Sequence, residues 1–454
     1  MVFDRVRPAP LPESLLEFAR WVLEQSVGTI PQSARYDLLS KTPPRLKTLQ
    51  MPLDAEPKEA AVQLALDLDD SVLPIQGPPG AGKTYVGGHM IAELAMRGKR
   101  IGVTAVSHKV ISNLLQEVLD RSNDSVSVAH RNSSPPDAQP QAIEVLKSTS
   151  DVLPALDHGK VVGGTAWLWG NAAVEQELDY LFVDEAGQMS LAMAVAAGRA
   201  AKNIVLLGDP QQLEQPQQGS HPEGAEAAAL THLLDGHDTI TEDRGLFMPN
   251  TWRLHPSICA FTSEQYYEGR LSSRSGLECQ TITGGSTFPE DGLAFVPVPH
   301  EGNQNRSEEE AESIRLIFDI LLNGTQTWRN ANNEEASLAL TDILVVAPYN
   351  AQVALLQDTL PDGARVGTVD KFQGQEAAVV IYSATSSSVE DAPRGMSFLY
   401  SPNRMNVATS RARCLVIMVG SPELFHPECA SPEQIRLANG FCRFAEMATQ
   451  IVLK

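Results

Sequence analysis

No run of apolar residues in the 454-residue chain approaches the roughly 20 that cross a bilayer, and the charged N-terminus has no secretory hydrophobic core. A membrane-spanning or exported protein is not expected, and a cytoplasmic one is. Cysteine is scarce: Cys259, Cys279, Cys414, Cys429 and Cys442 form no CxxC pair and show no metal-ligand spacing. That argues against a disulfide framework or a zinc module and fits reduced thiols. Basic charge is also short. Against 56 Asp and Glu stand 35 Lys and Arg, for a net charge of −21 and a pI near 4.9. Such acidity argues against an extended nucleic-acid surface. A groove can still be locally basic, because charge is screened beyond roughly 8–10 Å at physiological salt. No repeat of solenoid period occurs.

What the chain does have is length enough for two domains and the composition of a globular protein, 43% hydrophobic and 20% charged. Short apolar runs alternate with helical stretches, the pattern of parallel strands covered on both faces. "SVLPI", "RIGVTAV", "KVVGGTA", "LDYLFVDEA" and "NIVLLGD" make a first series. "GLAFVPV", "DILVVAPY", "ARVGTVD", "AAVVIYSAT" and "CLVIMVG" make a second. Two α/β domains are expected, dividing near residues 240–250. "ESLLEFARWVLEQS" predicts an N-terminal amphipathic helix with Leu15, Leu16, Phe18, Ala19, Val22 and Leu23 on one face. Residues 121–160 are polar and proline-containing and predict a mobile excursion. Residues 213–245 predict one short helix, and "RSEEEAESIRLIFDILL" predicts a solvated acidic run entering an amphipathic helix.

"GPPGAGKT", Gly77 to Thr84, matches the phosphate-binding pattern GxxxxGK[ST] between a strand and a helix. Gly77, Pro78, Pro79, Gly80, Ala81 and Gly82 form the loop. Its glycines let backbone N–H groups turn in around phosphates, with the helix N-terminus adding its dipole. Lys83 can reach the β- and γ-phosphates, and the Thr84 hydroxyl can ligate Mg²⁺. Gly87 and Gly88 weaken the following helix by roughly 1 kcal/mol each, which close packing against the sheet would explain. About 100 residues on, "LDYLFVDEAGQ" ends a strand in Asp184-Glu185. Ligands collect at the carboxyl ends of parallel strands, so Asp184 can hold Mg²⁺ and Glu185 can polarise an attacking water. "NIVLLGDPQQL" ends similarly, and Gln212 is placed to sense the γ-phosphate. ATP and Mg²⁺ are the cofactors this implies.

These blocks occur in the order and spacing of superfamily one helicases, and the chain resembles the branch of the nonsense-mediated decay helicase and its DNA-replication relatives. "NTWRLHPSICAFTSEQYYEGRL", "VAPYNAQVALL", "VGTVDKFQGQEAAVVIYS" and "NRMNVATSRARCLVIMVG" look like that family's later motifs, so the resemblance spans roughly residues 60 to 425. It implies two tandem RecA-like P-loop domains after a short helical stalk, divided as 1–55, 56–245 and 246–454. It also implies that Arg253 and Arg411 are arginine fingers acting across the interdomain cleft. Phosphoryl transfer gains from such residues, and neither has an acidic neighbour in sequence that would make it a local ion pair. Arg413 is less clearly placed. Gln373, Gly374 and Glu376 correspond to residues that couple nucleotide to strand, and Tyr349 to one that packs on adenine. In "TAVSHKVISNLL", Thr104, Ser107, His108, Lys109 and Asn113 offer donors to a nucleic-acid backbone, as does Thr165 in "VVGGTAWLW". Trp167 and Trp169 suit the core better than a stacking role, and Asp370 and Lys371 match the strand-facing motif only loosely.

Two departures stand out. The glutamine that reads adenine in this family is represented only by Gln63, a few residues from its usual place. The first 60 residues suit a stalk but cannot hold the β-barrel common in the branch. They suggest a longer parent chain, in which some bacterial relatives carry a nuclease-like domain; no nuclease carboxylate cluster is present here. The leading expectation is an ATP-dependent helicase or translocase on single-stranded DNA or RNA, 5′ to 3′ by resemblance. The alternative is a nucleic-acid-stimulated ATPase that works as a clamp or remodelling switch without separating strands. A metabolic P-loop kinase is disfavoured, having no use for the later motifs.

Overall fold

The computed structural model describes residues 9–25, 31–51, 54–132, 142–213, 224, 227–372 and 374–453. The chain divides into two compact units. The first comprises residues 1–77, 82–210 and 214–248, and the second 78–81, 211–213 and 249–454.

The first unit is built on β1 (Val72–Gln76), β2 (Ile101–Thr104), β3 (Val128–Arg131), β4 (Ile143–Leu146), β5 (Val161–Gly163), β6 (Leu178–Val183), β7 (Ala201–Gly208) and β8 (Leu246–Phe247). They form one sheet in the order β4-β3-β5-β2-β6-β7-β1-β8, every pairing parallel. β1, β2 and β5 are buried along their whole length, as a parallel sheet covered by helices requires. β7 lies between β1 and β6. The strands that carry the phosphate loop and the paired carboxylates are therefore one strand apart, and all three open on the same edge.

The second unit contributes β9 (Asn250–Thr251), β10 (Ser272–Ser273), β11 (Ile282–Thr283), β12 (Gly292–Pro297), β13 (Thr327–Arg329), β14 (Glu335–Ser337), β15 (Ile343–Val346), β16 (Arg365–Gly367), β17 (Ala377–Ser383), β18 (Ala412–Gly420) and β19 (Thr449–Gln450). Its main sheet runs β16-β15-β17-β18-β12-β19, again wholly parallel. All ten strands expected from sequence are present, and the α/β class with two parallel sheets stands.

Three local expectations fail. The expected excursion over 121–160 contains β3 and β4, which form one edge of the first sheet. Their polar residues hide the strand pattern: His130 is buried inside the fold, while Glu144 is exposed at the edge. Residues 133–141 lie outside the described ones. The N-terminal helix, Leu11–Glu24, buries Leu11, Ser14 and Phe18, with Leu15, Trp21 and Val22 also against the core. Leu16 and Leu23 are 57% and 84% exposed, and Ala19 is exposed too. A serine sits in the buried stripe because its hydroxyl donates to the Ala196 carbonyl at 2.9 Å. The acidic run is only partly solvated. Glu310, in the first turn of the helix Glu308–Leu321, is fully buried and accepts from the Thr385 N–H and the Ser383 hydroxyl. The short helix expected within 213–245 is Ala229–Leu234; most of 214–226 lies outside the described residues.

Arg35 joins the N-terminal helix to the first unit. It is buried and donates to the Val195 and Ser14 carbonyls, each at 2.8 Å. Its guanidinium carbon lies 4.3 Å from the centroid of Phe18. Leucine in its place would leave two buried carbonyls without their donor. Arg35→Leu is therefore expected to lower unfolding free energy by roughly 2–4 kcal/mol. Urea denaturation checks this, and a loss below about 1 kcal/mol would show that the helix docks by apolar contact alone.

Candidate nucleotide and nucleic-acid site

β1 breaks at Gln76, whose buried amide receives the Ile240 N–H at 2.7 Å and donates to the Asp238 carbonyl. The loop that follows turns through Gly80 and Gly82, at φ +73° and +84°, conformations that only glycine adopts without strain. Gly82 then caps the helix Lys83–Met96. Gly77 needs its missing side chain as well, because a Cβ would lie 2.2 Å from Lys83 Cγ. Lys83 Nζ donates to the Gly77 carbonyl at 2.5 Å, so the ammonium lies over the loop. Gly87 packs on Leu207 of β7 and Gly88 on Glu117, each close enough that a Cβ would clash. Close packing accounts for both.

Asp184 follows β6 and is buried. Glu185 adopts φ +52°, an uncommon conformation for a non-glycine residue and one that concentrates at functional sites. Its N–H donates to Asp184 Oδ1 at 2.9 Å. Burial pushes the Asp184 carboxyl up to about 7, the Glu185 charge adds to this, and Lys83 opposes it. The lysine of the loop and the strand-end carboxylates thus share one electrostatic site. Gly187 and Gly208 bring the ends of β6 and β7 together: a Cβ on Gly187 would lie 2.6 Å from the Asp209 carbonyl oxygen, and one on Gly208 2.7 Å from the Gly187 nitrogen. Thr84 and Asp184 supply oxygen donors, the kind a hard cation takes. Among the described residues no cluster of three or more His, Cys, Asp or Glu could hold a metal by itself.

The tip of the phosphate loop, Pro78–Ala81, groups with the second unit. The Thr251 hydroxyl donates to the Pro79 carbonyl and the Trp252 N–H to the Gly80 carbonyl, both at 2.9 Å. A Cβ on Gly80 would lie 2.6 Å from that of Arg253, so Arg253 sits beside the loop. No acidic residue beside Arg253 in sequence predicts an ion pair there. The structure supplies one from far along the chain: Arg253 Nε lies 2.5 Å from Glu376 Oε2, and Arg413 pairs with the other oxygen. Arg411 is buried, with Nη1 3.5 Å from the Gln375 carbonyl. Gly374 has φ +79°, and Gln373 lies outside the described residues. Gln212 is buried, and its carbonyl accepts from Asn403. Tyr349 is buried too, its ring 5.5 Å from that of Phe398. The exposed aromatic next to Arg253 is one the sequence reading passed over. Trp252 is 57% exposed, stacked on one face by Arg274 at 3.6 Å. It lines a cavity of about 190 Å³ with Arg253, Gln280, Glu376 and Arg413. Its signal was its place directly before the arginine in "TWRLHP".

The expected nucleic-acid residues divide. Ser107 caps the helix His108–Ser122 by accepting from the Val110 N–H. His108 and Thr165 are half-buried, and Lys109 and Asn113 are exposed. Thr104 is a correction: it ends β2 fully buried, so its hydroxyl is closed to an external strand. Trp169 is core, its indole N–H shared between the Val103 and Gly164 carbonyls at 3.1 Å each, and Trp167 packs against that core. Asp370 pairs with Arg404, and Lys371 donates to the Val366 carbonyl. Gln63 is exposed on the helix Pro57–Asp67. Among the described residues no helix is long and apolar enough to cross a membrane.

Residues 53–236 and 230–423 each match a family described as an AAA domain. A DNA replication ATP-dependent helicase/nuclease of Arabidopsis thaliana is 24% identical over 373 residues, 76% of this chain and 27% of its own length. The DNA polymerase alpha-associated DNA helicase A of Schizosaccharomyces pombe is 23% identical over 448 residues, 84% of this chain and 66% of its own. The chain thus spans between about a quarter and two thirds of these curated relatives. Among solved structures, an arterivirus nonstructural protein 10 helicase shows 15% identity and a TM-score of 0.42, over 79% of this chain and 61% of that one. That likeness is too loose to add to what the two sheets themselves show.

Glu376 offers a test of the arginine cluster. Burial pushes its carboxyl up, yet Arg253 and Arg413 outweigh burial and hold it below the ordinary 4.5. A depressed pKa gives stability that is present above 4.5 and lost as pH falls through the folded value. Glu376→Gln should therefore be less stable than the parent at about pH 7, with the gap closing below about pH 4. Denaturant midpoints at both pH values check this. An equal gap at each would mean the cluster is not held by charge.

Proposed function

We propose that the chain, which matches two AAA domain families and is similar to DNA helicases, is an ATP-driven superfamily one helicase or translocase on single-stranded DNA or RNA. The 5′ to 3′ direction rests on the resemblance alone, as does the division into a stalk (1–55) and two RecA-like domains (56–245 and 246–454). The observation that carries the proposal is the seat of Thr251–Arg253 on the tip of the phosphate loop. A P-loop enzyme acting on a small substrate has no need of an arginine at the loop that is held by a carboxylate 123 residues away. A motor does, because such an arginine makes hydrolysis depend on the state of the segment that carries the carboxylate.

On this reading ATP binds at the phosphate loop. The loop amides and Lys83 cradle its phosphates, Thr84 and Asp184 hold Mg²⁺, and Glu185 takes the proton of the attacking water. Mg²⁺, when bound, neutralises charge that builds on the phosphate oxygens. Gln212 orients the water, and Arg253 and Arg411 meet charge that develops only in the transition state. Arg253 must leave Glu376 to do so. The base stacks on Trp252, whose ring is exposed beside Arg253, in preference to the buried Tyr349. Gln373, Gly374 and Glu376 pass the change of nucleotide state to the strand.

Nucleic-acid-stimulated ATP hydrolysis measured beside strand separation is the deciding experiment: stimulation without separation would point to a switch. Glu185→Gln is expected to bind Mg-ATP normally while hydrolysis falls at least about 100-fold. Arg411→Ala should cut single-turnover hydrolysis by roughly 10³-fold or more on saturating strand. A loss within about threefold would remove Arg411 from catalysis. Trp252→Ala should raise KM for ATP more than it lowers kcat, and Tyr349→Phe should change neither.

A further inference from the structure

β3 ends in His130-Arg131, residues outside every motif that carries the resemblance. His130 is fully buried. Its Nε2 lies 2.9 Å from His108 Nδ1, and its Nδ1 lies 3.1 Å from the Ser112 hydroxyl. Burial lowers the His130 pKa to about 4, and burial followed by the Arg131 charge lowers that of His108. Both rings are therefore neutral at neutral pH, with one N–H each. The contact between them accommodates a single proton.

Two proton arrangements satisfy these contacts, and they differ in which nitrogen of His108 is left to donate. In one of them the Ser112 hydroxyl donates to His130 Nδ1. His130 then carries its proton on Nε2 and donates it to His108 Nδ1. His108 must carry its own proton on Nε2, which has no hydrogen-bond partner among the described residues. The half-buried Arg131 stands nearby with no carboxylate at salt-bridge distance among them, and its buried Nε has no partner. Lys109, next along the helix, is exposed.

We propose that His108 and Arg131 form a phosphate contact for the backbone of single-stranded nucleic acid, with His130, oriented by Ser112, as the positioning residue that keeps His108 a donor. Phosphate oxygens only accept, so a ring in the other tautomer would face them with a lone pair. A neutral donor also avoids the cost of holding an imidazolium in this partly buried place, while Arg131 supplies the charge. A metal would need the two nitrogen lone pairs that the relay already uses. The assignment of phosphate as ligand rests on the motor reading; the relay itself does not.

The test uses the full chain, ¹⁵N-labelled at histidine, and an oligothymidylate. Long-range ¹H–¹⁵N spectra should show His108 as the Nε2–H tautomer, and Ser112→Ala should turn this into a mixture. Arg131→Ala should weaken oligonucleotide binding several-fold and reduce the slope of log affinity against log salt by about 0.7, the loss of one phosphate contact. His130→Leu should weaken binding, and His130→Gln, which keeps an N–H near the Nε2 position, should restore most of it. ATP hydrolysis without nucleic acid should be unchanged in all four. A proton on His108 Nδ1 in the parent overturns the relay, and an unchanged salt slope in Arg131→Ala overturns the phosphate contact. Ser112 is half-buried, so the tautomer test survives if His130→Leu does not fold. If the parent binds no oligonucleotide, the motor reading falls with the phosphate assignment, while the spectra still judge the relay.

Discussion

The close approach of the chain after β6 to the chain after β7 is the constraint on which the first unit's chemistry depends. It exists because Gly187 and Gly208 have no side chains; a Cβ on either would meet backbone atoms inside 3 Å. With the two loops in contact, Ala186 N–H reaches the Leu207 carbonyl at 2.8 Å, and the turn at Glu185 is held in its positive-φ conformation. Strain of this kind persists only where the surroundings over-determine it. Here they do so on both sides, since Asp184 N–H is also taken by the Thr104 carbonyl of β2. The outcome is a buried carboxylate near Lys83, costly to charge without a cation and so well suited to take one.

Charge follows the same local logic. At −21 the chain as a whole repels a polyanion, yet screening confines that repulsion to about a Debye length. What matters is which cations are left unspent. Many arginines here are neutralised by carboxylates, among them Arg45, Arg100, Arg199 and Arg315. Among the described residues no carboxylate lies at salt-bridge distance from Arg131. Basic residues that lack acidic partners at the open edge of a parallel sheet give an acidic protein a local field of the opposite sign.

The sheets were legible because buried parallel strands are apolar along their length, a pattern that survives any amount of polar sequence between them. β3 and β4 escaped because four-residue strands have little pattern to lose, and His130 and Glu144 removed it. The N-terminal helix was legible as a helix but not in its orientation. Sequence periodicity scores Ser14 as polar, whereas the fold uses its hydroxyl to satisfy Ala196 and helps seat Arg35. The phosphate loop and the strand-end acids could be read because their chemistry lies in consecutive residues. Glu376 with Arg253, 123 residues apart, and His130 with His108 could not. Their partnership is a property of the folded chain, and no spacing rule connects them.

The arginine cluster shows how such a partnership could couple sites. Glu376 precedes β17, and Arg411 and Arg413 flank the start of β18; the two strands are joined where the Ala377 N–H meets the Arg411 carbonyl at 3.0 Å. A nucleotide that draws Arg253 away would leave Glu376, which lies partly within the protein, with Arg413 alone. A partly buried carboxylate that loses one of two cations becomes costlier to keep charged. That cost falls on the segment between Gly374 and β17, which is short and begins at a positive-φ glycine. A ligand shifts a conformational equilibrium only by its differential interaction with the two states. In this protein the differential would be an exchange of Arg253 between Glu376 and a phosphate, and its readout would be the backbone between Gly374 and β17.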